Sequence, residues 1–169
     1  LLGVTSKRCF FCSFSFLLFI NYSDGQETSE GERPSMYNRR YDKVFLMLRQ
    51  ETAGYSMGQR APWGSCTMEI KNGTGRISLT VQGLRPMHRG RYAVYAIAGA
   101  EEKQNNFFCG VLTPDSAGHG ELKWDFNPDG IGDMRATAEE LNTVAVLAEA
   151  DGSFSAPLTA YFGSKVDWR

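Results

Sequence analysis

The stretch "SCTMEIK" (65–71), Asn72-Gly73-Thr74-Gly75, "RISLTVQG" (76–83) constrains this chain more than any other. Asn-Gly between two runs of alternating apolar and polar residues is the strongest short-range signal for a β-hairpin, because a two-residue turn needs positive φ at both positions. In the second arm Ile77, Leu79 and Val81 fall on one side, and Arg76, Ser78 and Thr80 on the other. A strand with that period is half buried, with one face toward a core and one toward water. A chain organised around such a hairpin needs further strands to cover the apolar face.

The sequence supplies them. "KVFLMLRQ" (43–50), "RYAVYAIAG" (91–99), "NFFCGVLT" (106–113), "GELKWDF" (120–126), "TVAVLAEA" (143–150) and "APLTAYFG" (156–163) are short runs separated by turn residues. Pro114-Asp115, Gly118-His119-Gly120 and Asp151-Gly152 punctuate them. Leu122, Trp124 and Phe126 alternate with Glu121, Lys123 and Asp125. Thr137 with Glu140 three residues later has the form of a capping box and predicts one short helix in "TAEELN". Runs of this length with regular turn signals predict an all-β fold, an antiparallel β-sandwich of about eight strands with one short helix.

Residues 1–35 stand apart from this pattern. Glu30-Gly31-Glu32-Arg33 back-translates into purine-only codons of the kind a bacterial ribosome binds, and Met36 follows after a short spacer. The expectation is an untranslated leader, with the domain at 36–169 and a cytoplasmic location. The rival is a secretory signal: Lys7 and Arg8 precede the 12-residue apolar run Cys9–Ile20. That run is shorter than the roughly 20 residues of a membrane-spanning helix. Under the rival reading the domain is secreted or attached to the cell envelope.

Charge follows the same division. Of 18 Lys plus Arg and 19 Asp plus Glu, three and four precede Met36, leaving a formally neutral domain with 15 of each. Neutrality gives no general reason to hold nucleic acid or an anionic membrane. Cys9 and Cys12 form a C-x-x-C, but without the second pair of a zinc ribbon or the βαβ setting of a redox motif. Cys66 and Cys109 sit inside strand-like runs, as small buried apolar residues do.

Three segments, "GRISLTVQGLRPMHRGRYAVYAIAG", "GVLTPDSAGHGEL" and "VAVLAEADGSFSAPLTAYFG", resemble the extracytoplasmic β-sandwich of anti-sigma-K factors over residues 75–163. The departures are Tyr95-Ala96 in the tyrosine-rich strand, Asp151-Gly152 in place of Gly-Gly, and the extra segment "NPDGIGDMRATAEEL". The family's helical sigma-binding domain and transmembrane helix have no counterpart in this sequence. Residues 41–169 are more similar to uncharacterised stand-alone proteins of Gram-positive anaerobic bacteria. The resemblance implies a fold and transfers no activity.

The chemistry-bearing residues do not assemble into a catalytic motif. His88 and His119 are the two histidines, and neither has a spacing that sets two ligands on one face. Gly64-Ser65-Cys66-Thr67 lacks a nucleophile elbow. Gly130-Ile131-Gly132 lacks the strand–helix context of a dinucleotide site. Neither a cofactor nor a metal is implied.

Two loops carry recognition chemistry. "GYSMGQRAPWG" (54–64) is long for a connection between strands and holds Tyr55, Arg60 and Trp63, residue types enriched at binding hot spots. "RPMHRGR" (85–91) gathers Arg85, His88, Arg89 and Arg91, which suit a phosphate, a carboxylate or an acidic protein patch. Trp168, in the C-terminal "KVDWR", has the setting of a strand-edge anchor. The functional expectation is a non-catalytic bacterial binding or regulatory module for a protein partner or small anionic ligand. An exported module and an enzyme of unrecognised type are its rivals.

Overall fold

The computed structural model describes residues 41–99, 103–132 and 136–165. Residues 1–35, expected to be a leader or signal-like segment, the Cys9/Cys12 pair and Trp168 lie outside these residues. Eight strands follow one another: β1 (Asp42–Gln50), β2 (Trp63–Lys71), β3 (Thr74–Gln82), β4 (Arg91–Ala98), β5 (Asn105–Leu112), β6 (Gly120–Phe126), β7 (Leu141–Ala150) and β8 (Ser153–Tyr161). All pairings are antiparallel.

The strand order β5-β4-β7-β8-β1-β2-β3-β6 is one nearly closed sheet folded into two four-stranded halves. One half is β1-β2-β3-β6 and the other β5-β4-β7-β8. Between β1 and β8 the ladder is brief, joining Arg49 to Thr159 and Gln50 to Leu158. The terminal strands β5 and β6 pack side by side without a ladder. The fold is therefore the expected antiparallel sandwich, with its two layers continuous at a single corner.

Local chemistry explains the hairpins. Asn72 (φ 52°) and Gly73 (φ 76°) form the two-residue turn between the paired residues Lys71 and Thr74. Asp151 (φ 48°) and Gly152 (φ 76°) repeat it between Ala150 and Ser153. Both turns match the right-handed twist of the strands they join. Pro157 lies within β8, where a central strand does not ordinarily accept it. It is tolerated because the β7–β8 register shifts between Val146 and Ala148, and a bulge has no need of an N–H at that point.

The core lies between the two halves. Ile77, Leu79 and Val81 face Tyr92, Val94 and Val146 from the opposite layer, all buried. Cys66 and Cys109 are free thiols within this core, and burial pushes both up to about 12. β2 and β3 alternate buried and open positions as expected. β4 and β7 do not, because Ala93, Ile97, Thr143 and Ala145 on the face away from the core are also buried.

Two expectations change in detail. The helix of "TAEELN" is a single 3-10 turn, Ala138–Glu140, and β7 begins at Leu141. The Glu140 carboxylate accepts the Thr137 N–H at 2.7 Å, but the leucine that follows is drawn into the sheet. Trp63 and Gly64, expected in the loop, belong to β2, where they pair with Gln82 and Val81. The connection between β1 and β2 is thus 51–62.

Candidate functional site

The alternation of strand directions sends four connections to one end of the sandwich: 51–62, 83–90, 113–119 and the turn 151–152. Both loops singled out from the sequence are among them. The turn 72–73 lies at the other end.

Backbone bonds stitch these loops together. Ser56 and Leu84 form an isolated antiparallel bridge. The Met57 N–H donates to the Gly83 carbonyl at 2.9 Å, and the Arg85 N–H to the Tyr55 carbonyl at 2.8 Å. The Leu84 N–H donates to the Gly118 carbonyl at 3.1 Å, which ties in the third loop. That loop is shaped by Asp115, whose Oδ1 accepts the N–H groups of Ala117 at 2.8 Å and His119 at 2.9 Å. These donors hold the Asp115 carboxyl below its ordinary range.

Tyr55 takes part in this scaffold. Its hydroxyl bonds the Ser155 hydroxyl, and its ring meets Tyr92 edge-on at 6.2 Å. The Tyr92 hydroxyl donates to the Arg85 carbonyl at 2.7 Å. Burial pushes the Tyr92 phenol up to about 12, so it remains a donor across the physiological range. The Arg85 backbone is therefore held from two sides while its side chain stays exposed.

Arg60, Arg85, His88 and Arg89 are all exposed. None of the three arginines carries a carboxylate partner among the described residues. Arg76 and Arg91 behave differently. Arg76 Nε meets Asp125 Oδ1 at 2.5 Å, which holds the Asp125 carboxyl below its ordinary range. Arg91 Nε meets Glu149 Oε2 at 2.6 Å, and its guanidinium lies 5.9 Å from the centre of the Phe108 ring. Arg91 is thus committed to the outer face of its sheet and does not join its neighbours in the loop.

Trp63 is 47% exposed on the outer face of β2, beside Gln82. One step beyond the Leu48–Gly64 pair, Arg49 stands on its other side. The tryptophan therefore belongs to the sheet's outer face at its loop-bearing margin. Two further residues stand at this margin: Arg49, which went unremarked in the sequence, and His119, read there only as a turn residue without metal-ligand spacing. Arg49 shares a face with Phe45 and Met47, a period-2 signal that could have found it. His119 reaches the margin only through the β5–β6 connection, and its Nε2 lies 3.7 Å from Glu121 Oε1. Among the described residues, no group of three His, Cys, Asp or Glu side chains is disposed to hold a metal. None of them forms a helix long and apolar enough to cross a membrane.

Fold and loops together define an all-β domain with exposed arginines at one end that have no carboxylate partner among the described residues. Residues 40–165 match the family described as a domain of unknown function (DUF7922), and the chain belongs to that family. No curated protein matches the chain. No solved structure matches it either.

Proposed function

We propose that this domain is a non-catalytic bacterial binding or regulatory module. It takes a protein partner's acidic patch, or a small anionic ligand, at the sandwich end formed by loops 51–62 and 83–90. One observation carries the reading: Arg60, Arg85 and Arg89 stand exposed at one end with no carboxylate partner among the described residues, whereas Arg76 and Arg91 are each neutralised by a carboxylate. A guanidinium without an internal partner keeps its donors for a planar oxyanion. The backbone ties through Tyr55, Leu84 and Gly118 limit the ordering cost of binding. Trp63 adds exposed apolar area with little rotamer entropy to lose. The resemblance to the β-sandwich of anti-sigma-K factors favours a regulatory protein as the partner, and the neutral charge disfavours nucleic acid.

The test begins with recovery of the partner by co-purification with the full chain. Arg60→Ala, Trp63→Ala and Arg89→Ala are each expected to weaken its binding by at least about fivefold, the loss of about 1 kcal/mol that marks an energetically significant contact. Tm should stay close to wild type, and Lys71→Ala, beside the turn 72–73 at the other end, should bind as wild type does. Three variants with wild-type affinity would remove the assignment. So would unfolding by Trp63→Ala, which would make the indole a core group.

A further inference from the structure

We propose a second binding site, at the opposite end of the sandwich, where β1 accepts an extended, lysine- or arginine-bearing segment of a partner protein as an added strand. Three independent observations converge there. Asp42 to Leu48 pair with β2 on one side, but β8 meets β1 only at Arg49 and Gln50. Beyond that point β8 follows β7, with the Phe162 N–H donating to the Asn142 carbonyl at 2.9 Å. Among the described residues, the other side of Asp42–Leu48 therefore has no ladder. Alternate N–H and C=O groups of a strand point to each side, so this edge presents a template for another strand.

The gap between the diverging strands opens into a cleft of about 260 Å³. Val44, Met68, Ile70, Leu141 and Phe162 give it an apolar lining, and the exposed carboxylates of Asp42 and Glu139 stand beside them. Neither carboxylate has an ion-pair partner among the described residues. The third observation is on the opposite face of the same strand. Phe45 is 62% and Met47 45% exposed, and Tyr41, just before β1, is 58% exposed. Edge strands ordinarily carry charge to discourage pairing; here Lys43 and Arg49 stand at the two ends of the outer face, with the large apolar groups between them.

These features specify the occupant. In strand addition the backbone ladder gives affinity and alternate side chains give selectivity. Side chains turned toward the cleft must be apolar, with a cation at the end near Asp42 and Glu139. Side chains turned outward lie along Phe45 and Met47. A second copy of β1 fits poorly, because its inward residues are Asp42, Val44 and Leu46 and bring no positive charge to the two carboxylates.

The probe is the peptide acetyl-Thr-Leu-Thr-Val-Thr-Lys-amide, which run antiparallel to β1 sets its lysine beside Asp42, and its counterpart ending in Glu. Each is titrated to about 1 mM against the full chain, with binding followed by anisotropy and β1 amides by hydrogen exchange. The lysine peptide should bind saturably and slow exchange at the alternate amides between Val44 and Leu48 that point away from β2. The glutamate peptide should bind about tenfold more weakly, as reversal of partly exposed charge pairs allows. In Asp42→Asn/Glu139→Gln that difference should vanish. Equal binding of the two peptides by wild type would overturn the proposal, as would no binding by either. So would slow exchange in the free chain at the β1 amides that point away from β2, or a dimer that Phe45→Lys dissociates.

Discussion

Gly64 offers a sharp test of how closely the two strands beside the site are packed. It stands second in β2, opposite Val81 on β3 and Leu48 on β1, and is buried. A Cβ added there would fall inside van der Waals contact with the Thr80 carbonyl oxygen. It would also lie 3.1 Å from Leu48 Cδ1 and 3.2 Å from Val81 Cα. The leucine tip can move aside. The β3 backbone can do so only by disturbing the ladder that holds Trp63 and Gln82 in register. Overpacking of this kind costs about 1–3 kcal/mol. Against it, alanine reduces the conformational entropy of the unfolded chain, which is worth roughly 0.4–1 kcal/mol. The steric cost exceeds the entropic gain, and Gly64→Ala should lose about 1–2 kcal/mol. At roughly 3–6 °C per kcal/mol for a domain of this size, Tm should fall by roughly 3–12 °C. Gly58 is the internal control, since a Cβ there meets nothing within 4 Å. Gly58→Ala should gain the entropic term alone, roughly 0.4–1 kcal/mol. Urea unfolding of both variants, with the m-value checked for constancy, measures the difference. If Gly64→Ala equals or exceeds wild type in stability, or Gly58→Ala falls as far as Gly64→Ala, the packing argument fails.

Cys66 and Cys109 should react slowly with iodoacetamide in the native chain and rapidly in denaturant, since burial holds both pushed up to about 12; fast native labelling would refute this. Thr143 Oγ1 is buried with no hydrogen-bond partner among the described residues, so Thr143→Val should raise stability by about 1 kcal/mol in urea unfolding; a loss would reveal a partner for the hydroxyl. The Asp115 carboxyl is depressed in the fold, so its contribution is present above the unfolded value near 3.8 and is lost as pH falls through the lower folded value. Stability measured against pH for Asp115→Asn should show a shallower acid limb than wild type, and an identical limb would count against the turn.

Much of the fold is legible in the order of residues. Period-2 alternation, with Asn72-Gly73 and Asp151-Gly152 as turns, locates all eight strands to within a few residues of their observed ends. Alternation is written residue by residue, because a strand's faces are set by its own pleat. The alternation of Ile77, Leu79 and Val81 therefore names core residues correctly. The boundary at Trp63 is not legible. Pro62 and the glycines around it suggest a loop, and pairing with Gln82 overrides that local preference. The same competition reduces the helix at Thr137 to one turn, because Leu141 gains more from the β4 ladder than from continuing a helix.

The residues of the candidate site are visible as types, and their company is not. That Arg60, Arg85 and Arg89 are arginines in loops is a property of the sequence. That they share one margin depends on which strands run in which direction. Arg91 shows the limit: close to Arg85 and Arg89 along the chain, it is drawn to Glu149 on β7 and leaves the cluster. The gap beside β1 lies further still from the sequence, because it depends on β8 leaving β1 after Thr159 to follow β7. Sequence alone determined the strands, their faces and their turns, since those are local consequences of side-chain pattern and φ. Tertiary structure alone decided which charges are neutralised and which edges stay open, since both depend on pairings between residues distant along the chain.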